Sequence, residues 1–406
     1  TAGISESACQ VIASGSQGER NGWTIATGGD INGDGMSEIV YSERDVESID
    51  VWNASISLIT EQDWESLDIQ IDGTIISIDL EVGPDGESFI LITNEINNVQ
   101  STILMRQDSD TTATPRWVQT EIASGGGNSQ HEAQMVVDGG GQVWVAIVTE
   151  TLSQGAFVQN SKLKIFKPEI SWVLMSNVLA ENGDIGLYPA LTVDDNDLMH
   201  VAFYDKGTSR IWYSVETSSG WVTETVRSQI DISDEIIIEV TNTSTELTYR
   251  DDDGMLYVAT KSGSGWSEQA VGESTIVAHK RATLPNGPYH LSSWNLSGNE
   301  TFGFMPSNGT ESSFIEVPIT INADTDFDVY VSDEFDYLQS GNNSGAVMLV
   351  AWNNATGEGG LITKIGSQNW SIQNDWSAQN STDSGVKFSK AGYGKVWYGT
   401  QYYESL

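Results

Sequence analysis

An internal period constrains this chain more than any other feature of its sequence. A unit of about 45 to 56 residues recurs along nearly all of the 406 residues, and such self-similarity marks a structure built by repeating one supersecondary element. The clearest copy is Tyr188-Pro-Ala-Leu-Thr-Val-Asp-Asp-Asn-Asp-Leu-Met-His-Val-Ala-Phe-Tyr204, followed by Ser209-Arg-Ile-Trp-Tyr-Ser-Val215 and Gly220-Trp-Val-Thr-Glu-Thr-Val226. Each piece alternates or is β-branched, and the joints carry Asp, Asn, Gly and Ser. The unit therefore reads as four short antiparallel strands joined by tight turns. Its fourth strand opens on a large aromatic, at Trp64, Trp117, Trp172, Trp221, Trp266, Phe314 and Trp370. The turn between the first two strands recurs as Gly83-Pro-Asp-Gly86, Asp138-Gly-Gly-Gly141, Asp194-Asp-Asn-Asp197 and Pro285-Asn-Gly287, each ahead of an apolar second strand.

No segment combines sustained 3.6-residue periodicity with helix caps, so the chain reads as all-β. A lone four-stranded sheet cannot bury both faces, but sheets set radially pack on one another, which is the β-propeller solution. The recurring aromatics then wedge between blades, a packing role that outweighs carbohydrate stacking at any single position. The count predicts a single propeller of eight blades of four antiparallel strands, with seven as the alternative if the irregular stretch 272–375 hides one unit fewer. Residues 386–399 match the first two strands of a unit, and Cys9-Gln-Val-Ile-Ala13 matches a fourth. The expected division is an N-terminal strand within 1–15 that completes the last blade and closes the ring, seven blades over 16–375, and the first strands of the closing blade over 376–406. One strand of that blade remains to be supplied by residues 1–7, by a lost C-terminus, or by another chain. An unpaired edge would invite strand addition from a copy of this chain or another surface protein.

The sharpest local motif is Asp30-Ile-Asn-Gly-Asp-Gly-Met-Ser-Glu38. Asp30, Asn32 and Asp34 present hard oxygen ligands around a Gly-rich turn, the Met36 carbonyl adds a backbone oxygen, and Glu38 closes the loop, a set suited to Ca²⁺ as a structural ion. This stretch resembles the calcium loops of FG-GAP and VCBS repeats, found in integrin α-subunit propellers and microbial surface proteins. The strand spacing of the other units resembles that of BNR and sialidase-like propellers, although the Ser-X-Asp-X-Gly-X-Thr-Trp box of that family is missing. The resemblance implies a propeller with structural calcium and does not imply sialidase activity.

Lys and Arg number 18 against 57 Asp and Glu, a formal charge of −39, so nucleic acid is excluded as a partner. Such a coat stays hydrated where salt screens it, as in marine or halophilic settings, or it recruits divalent cations. The sequence has no apolar run long enough for a spanning helix, and its start at Thr1 reads as a mature or trimmed product. Cys9 is the only cysteine, so no intrachain disulfide forms. Asn-X-Ser/Thr occurs at Asn53, Asn242, Asn295, Asn299, Asn308, Asn342, Asn354, Asn369 and Asn380, mostly in the C-terminal half, which predicts an extracellular or cell-surface protein carrying N-linked glycans.

Catalytic signals are weak. Acidic clusters at 194–197, 251–253 and 324–336 could pair carboxylates for work on a glycosidic bond, but among so many acids close pairs are inevitable. His131, His200, His279 and His290 show no metal-ligand spacing, and His200 and His290 occupy equivalent second-strand positions, which argues for packing. The expectation is an exported, glycosylated, non-enzymatic module with a binding or structural role, a filament subunit among its forms. The rival is a polysaccharide-active hydrolase or lyase using His131, Tyr188 and Asp194 at the mouth of the propeller.

Overall fold

The computed structural model of the chain describes residues 20–29, 38–44, 48–57, 61–84, 87–108, 116–124, 129–151, 160–168, 174–181, 185–232, 235–241, 244–263, 265–274, 279–284, 287–296, 298–319, 325–332, 346–353, 358–365, 369–377, 386–391 and 395–400. Among these residues the chain is all-β, with antiparallel four-stranded meanders over 20–70, 74–124, 129–181, 185–228, 237–274, 280–316 and 325–377, then a hairpin over 386–400. The second and third meanders are joined by a single parallel pairing of Val99 with Ser129. The arrangement is propeller-like. The segment 1–15 expected to close the ring lies outside the described residues.

Residues 70–270 form one compact unit holding nearly all of the second to fifth meanders; 1–69 and 271–406 form the other. In the first of these units the leading strands Thr74–Val82, Ser129–Val137, Ile185–Val193 and Ile237–Val240 lie each against the next. The core fills the spaces between consecutive sheets. Phe89, Leu91 and Leu104 pack against Val143, Val145 and Ile147. The opposite face of the same second strand, Trp144 and Ala146, meets Met199, Val201 and Phe203. Tyr204, Ile211 and Tyr213 meet Leu247, Tyr249 and Ala259. A strand covered on both faces can be apolar throughout, which is why Met199–Asp205 is buried at every residue. Each such large side chain contributes about 1.5 to 3 kcal/mol through burial.

The aromatic anchors fall where the repeat predicts. Trp64, Trp117, Trp221 and Trp266 stand near the starts of fourth strands, and Phe314 and Trp370 directly precede Ile315–Glu316 and Ser371–Ser377. Trp172 lies outside the described residues. Trp221 packs between the third and fourth sheets, and Trp266 between the fourth and fifth. The scarce cations reinforce the same joints: Lys167 pairs with Glu216 at 2.9 Å and sits 4.7 Å over Trp144, Lys261 pairs with Glu224, and Arg227 pairs with Glu268.

In the second unit Leu291 and Phe304 pack against Phe327 and Leu349, with Trp370 stacked on Phe304 at 6.4 Å. Trp294 is fully buried and donates Nε1–H to the Gly303 carbonyl at 3.0 Å. Two glycines make this packing feasible. Gly272 has φ +66 and a Cβ there would meet the Trp294 ring at 2.7 Å; a Cβ on Gly303 would meet the Ile315 carbonyl oxygen at 2.3 Å. The hairpin strand Val386–Ala391 lies against both Arg20–Gly29 and Thr325–Ser332.

Candidate functional site

Two ends of the fourth meander gather the polar chemistry of the 70–270 unit. At one end, the tight turns between first and second strands leave backbone N–H groups that need acceptors, and aspartates supply them. Asp138 Oδ1 accepts from the Gly140 and Gln142 N–H groups at 3.0 and 2.8 Å, and its Oδ2 accepts from Trp144 Nε1 at 3.0 Å. Asp194 Oδ1 accepts from Asn196 and Leu198, both at 2.9 Å, while Asp197 accepts from Gly139 N–H at 2.9 Å and ties neighbouring turns together. Burial pushes the Asp194 carboxyl up, but the backbone donors outweigh it and hold the group below the usual range.

Asp194 also faces His200. The 3.6 Å between His200 Nε2 and Asp194 Oδ2 is an electrostatic contact, too long for a hydrogen bond. His200 Nδ1 bonds the Tyr213 hydroxyl, Lys261 lies 4.6 Å over the Tyr213 ring, and Trp266 Nε1 donates to Glu224 at 3.1 Å. Burial drives the His200 imidazole toward its neutral form and pushes the Tyr213 hydroxyl up to about 12. Both side chains are buried, so this network joins sheets and does not face a ligand.

At the other end the backbone is strained and the side chains reach solvent. Tyr188 has φ +50, Ser209 φ +51 and Gln229 φ +60, each costing about 1 kcal/mol or more for a non-glycine residue. Tyr188 sits where the register of Ile185–Val193 against Met199–Asp205 skips between Leu187 and Ala190, a bulge that re-aims its side chain. Its half-buried ring makes an offset stack on Tyr204, with centroids 6.5 Å apart and planes at 21°. The Tyr204 hydroxyl donates to Asp231 Oδ1 at 2.7 Å and also reaches the Ile230 carbonyl at 3.2 Å. Ser209 Oγ donates to the same Asp231 Oδ1 at 2.9 Å, and the Ser209 carbonyl accepts from Ile230 N–H. These hydroxyl donors, Tyr204 first, hold the exposed Asp231 carboxyl below the usual range.

Tyr188 lies within the strand Ile185–Val193 and Asp194 follows its last residue, up to about 20 Å apart at roughly 3.3 Å per residue, so the structure does not bring them together. His131 lies in Ser129–Val137, the leading strand of the third meander. His279 and His290 are buried with ring centroids 6.2 Å apart, and His290 Nε2 bonds Ser307 Oγ at 2.8 Å. Asp30, Asn32, Asp34 and Met36 lie outside the described residues, and Glu38 opens the strand Glu38–Arg44. Among the described residues no group of three or more His, Cys, Asp or Glu could hold a metal ion. Asn295, Asn299, Asn308 and Asn369 are exposed, and Asn53 lies in the strand Ser48–Ser57. Asn242, Asn342, Asn354 and Asn380 lie outside the described residues.

Sequence reasoning missed two features. Glu81, on the leading strand Thr74–Val82, has its carboxyl pushed up to about 7 by burial and by the charge of Asp79 two residues away on the same face. Its signal was an acidic pair in alternation with buried Ile78 and Leu80. A cleft of about 240 Å³, lined by Ser293, Glu300, Phe302, Glu316 and Pro318, opens beside the exposed Asn299.

No family model matches the chain, and no curated protein matches it. Among solved structures, prolyl oligopeptidase B from Galerina marginata aligns with a TM-score of 0.50 and 8% identity, covering 93% of this chain and 54% of that one. Polysaccharide lyase Uly1 aligns at 0.44 with 10% identity over 66% of this chain and 74% of its own. The Aleuria aurantia lectin bound to α-methyl-L-fucoside aligns at 0.40 with 12% identity over 87% and 95%. These neighbours are propeller-type folds. At such identities the likeness concerns fold alone, and no residue role passes to this chain.

Proposed function

We propose that the chain is an exported, N-glycosylated β-propeller of eight blades, closed by its N-terminal strand, that serves as a non-enzymatic binding or structural module at a cell surface or in an extracellular assembly. The observation that carries this reading is the exposure of Asn295, Asn299, Asn308 and Asn369, where a glycan can project without disturbing the core. The hairpin strand Val386–Ala391 beside Arg20–Gly29 supports closure by the two ends of the chain. In this reading Asp30, Asn32, Asp34, the Met36 carbonyl and Glu38 hold a structural Ca²⁺, and copies assemble through an open strand edge of the closing blade.

The test is the intact mass of protein recovered from its native source, before and after enzymatic removal of N-glycans. Loss of several glycan masses is expected, with the sites localised to sequons, and an unchanged polypeptide mass would refute the reading. Monodisperse monomers at native salt would remove the assembly role. Glu81 favours a second reading, a polysaccharide-active enzyme, because a carboxyl pushed up to about 7 by burial and by the neighbouring Asp79 is suited to general acid work. Release of reducing ends from polysaccharide by the wild type and its abolition in E81Q would establish that alternative.

A further inference from the structure

We infer that the outer edge of the sixth meander, along the start of its third strand Asn299–Pro306, is a slot for an extended peptide segment of another protein that carries two adjacent basic residues. The inference goes beyond the module reading above and uses neither its glycans, its calcium nor its ring closure. In the other meanders the fourth strand runs for 7 to 10 residues. In the sixth it is Ile315–Glu316 alone, paired with Phe304 and Gly303. Its continuation is stopped locally. Val317 N–H still reaches the Phe302 carbonyl at 2.9 Å, but Ile319 N–H turns back to the Val317 carbonyl at 2.8 Å, and Pro318 between them has no N–H to give. Trp370 Nε1 donates to the Glu316 carbonyl at 2.8 Å and pins the strand end. Among the described residues no strand therefore pairs with the outer edge of Asn299, Glu300 and Thr301. Backbone groups alternate in direction along a strand, so the outward Phe302 carbonyl implies an outward N–H and C=O at Glu300.

The cleft of about 240 Å³ lies where the missing part of that strand would run. Its lining places it there. Ser293, Glu300 and Phe302 share the face that packs toward Phe327 and Leu349, whereas Thr301 and Glu316 belong to the opposite face. A cleft that touches both faces lies in the plane of the sheet, at its edge. The volume is below that of a drug-sized pocket and suits a few residues of added strand. The charges choose the occupant. Glu300 and Glu316 are both exposed, and Ser293 Oγ donates to Glu300 Oε1 at 3.1 Å, which orients that carboxylate. Consecutive residues of an added strand point to opposite faces, so carboxylates on the two faces select basic residues at adjacent positions, not at alternate ones. A second copy of this chain, with a formal charge of −39, would meet repulsion at the same edge. One outward backbone pair and two exposed ion pairs make the binding weak and salt-dependent.

Peptide-observed NMR line broadening on the full chain, freed of N-glycans and at low ionic strength, tests the inference. The probes are acetyl-Thr-Val-Arg-Arg-Val-Thr-amide, its alternating isomer acetyl-Thr-Arg-Val-Arg-Val-Thr-amide, and the first peptide methylated at the backbone nitrogens of both arginines. The first should bind about threefold tighter than its isomer, which has the same charge, and methylation should weaken it about fivefold. E300Q and E316Q, both at exposed positions, should each weaken the first peptide about threefold and remove its advantage over the isomer. Near-UV circular dichroism establishes that each variant is folded. Equal binding of the two isomers, binding that survives methylation or both substitutions, or no broadening of any peptide overturns the inference. Self-association of the chain that the first peptide displaces would put a second copy in the slot and overturn the choice of partner. Because glycans are removed beforehand, none of these results bears on the glycan-mass test of the exported module.

Discussion

Replacing Glu81 by Gln should stabilise the protein, most strongly at high pH. Glu81 has its carboxyl pushed from an ordinary 4.5 to about 7 by burial and by Asp79. Between these values the folded chain keeps a proton that the unfolded chain has released, so stability falls as pH rises from 4.5 to 7, and the full deficit is present above 7. At about 1.36 kcal/mol per pH unit the gap corresponds to about 3 kcal/mol, an upper bound. Because the side chain keeps partial contact with water, about 1 to 2 kcal/mol is the realistic gain. Glutamine matches the shape of the protonated carboxyl and carries no charge. E81Q should therefore raise the urea midpoint, followed by tryptophan fluorescence, at about pH 8, with about a quarter of the gain left near pH 5. An equal gain at both pH values would mean that the effect is packing and not ionisation. A loss of stability at pH 8 would show that the carboxylate is paired in solution, and the argument from burial would fail.

Three other outcomes are expected. Burial drives the His200 and His290 imidazoles below 6.5, so their contribution is present above that value and is lost as pH falls below it; each steepens acid unfolding by up to about 1.4 kcal/mol per pH unit, and H290Q should remove its share in pH-dependent denaturation. D138A, which orphans two turn N–H groups and the Trp144 indole, should cost about 2 to 4 kcal/mol in the same measurement, whereas D195A at an exposed turn position should be nearly neutral. W294A should cost about 3 to 5 kcal/mol through the cavity it leaves, and G303A about 1 to 3 kcal/mol through collision with the Ile315 carbonyl, both read as lowered urea midpoints.

Much of the architecture is legible in the sequence. Alternation, turn chemistry and the recurring aromatic are local signals, and they placed the meanders, the first turns at Asp138 and Asp194, and the role of Trp221, Trp266 and Trp370 between sheets. His200 and His290 were read as packing residues from their equivalent positions, and both are buried. The candidate site was far less legible. Tyr188 appeared as a neighbour of Asp194 in the sequence, yet extended backbone separates the two, and Tyr188 stacks instead on Tyr204, whose hydroxyl bonds Asp231 beside Ser209.

The amino-acid sequence by itself determined the strands, their order and the periodic burial, because these follow from the chemistry of residues a few positions apart. Only the tertiary structure decided which polar groups meet. The same residue type became a turn cap at Asp138, an inter-turn tie at Asp197 and a shared acceptor for the Tyr204 and Ser209 hydroxyls at Asp231. The difference lies in the donors that neighbouring loops bring within about 3 Å, a distance over which folding, and not sequence proximity, selects the partner.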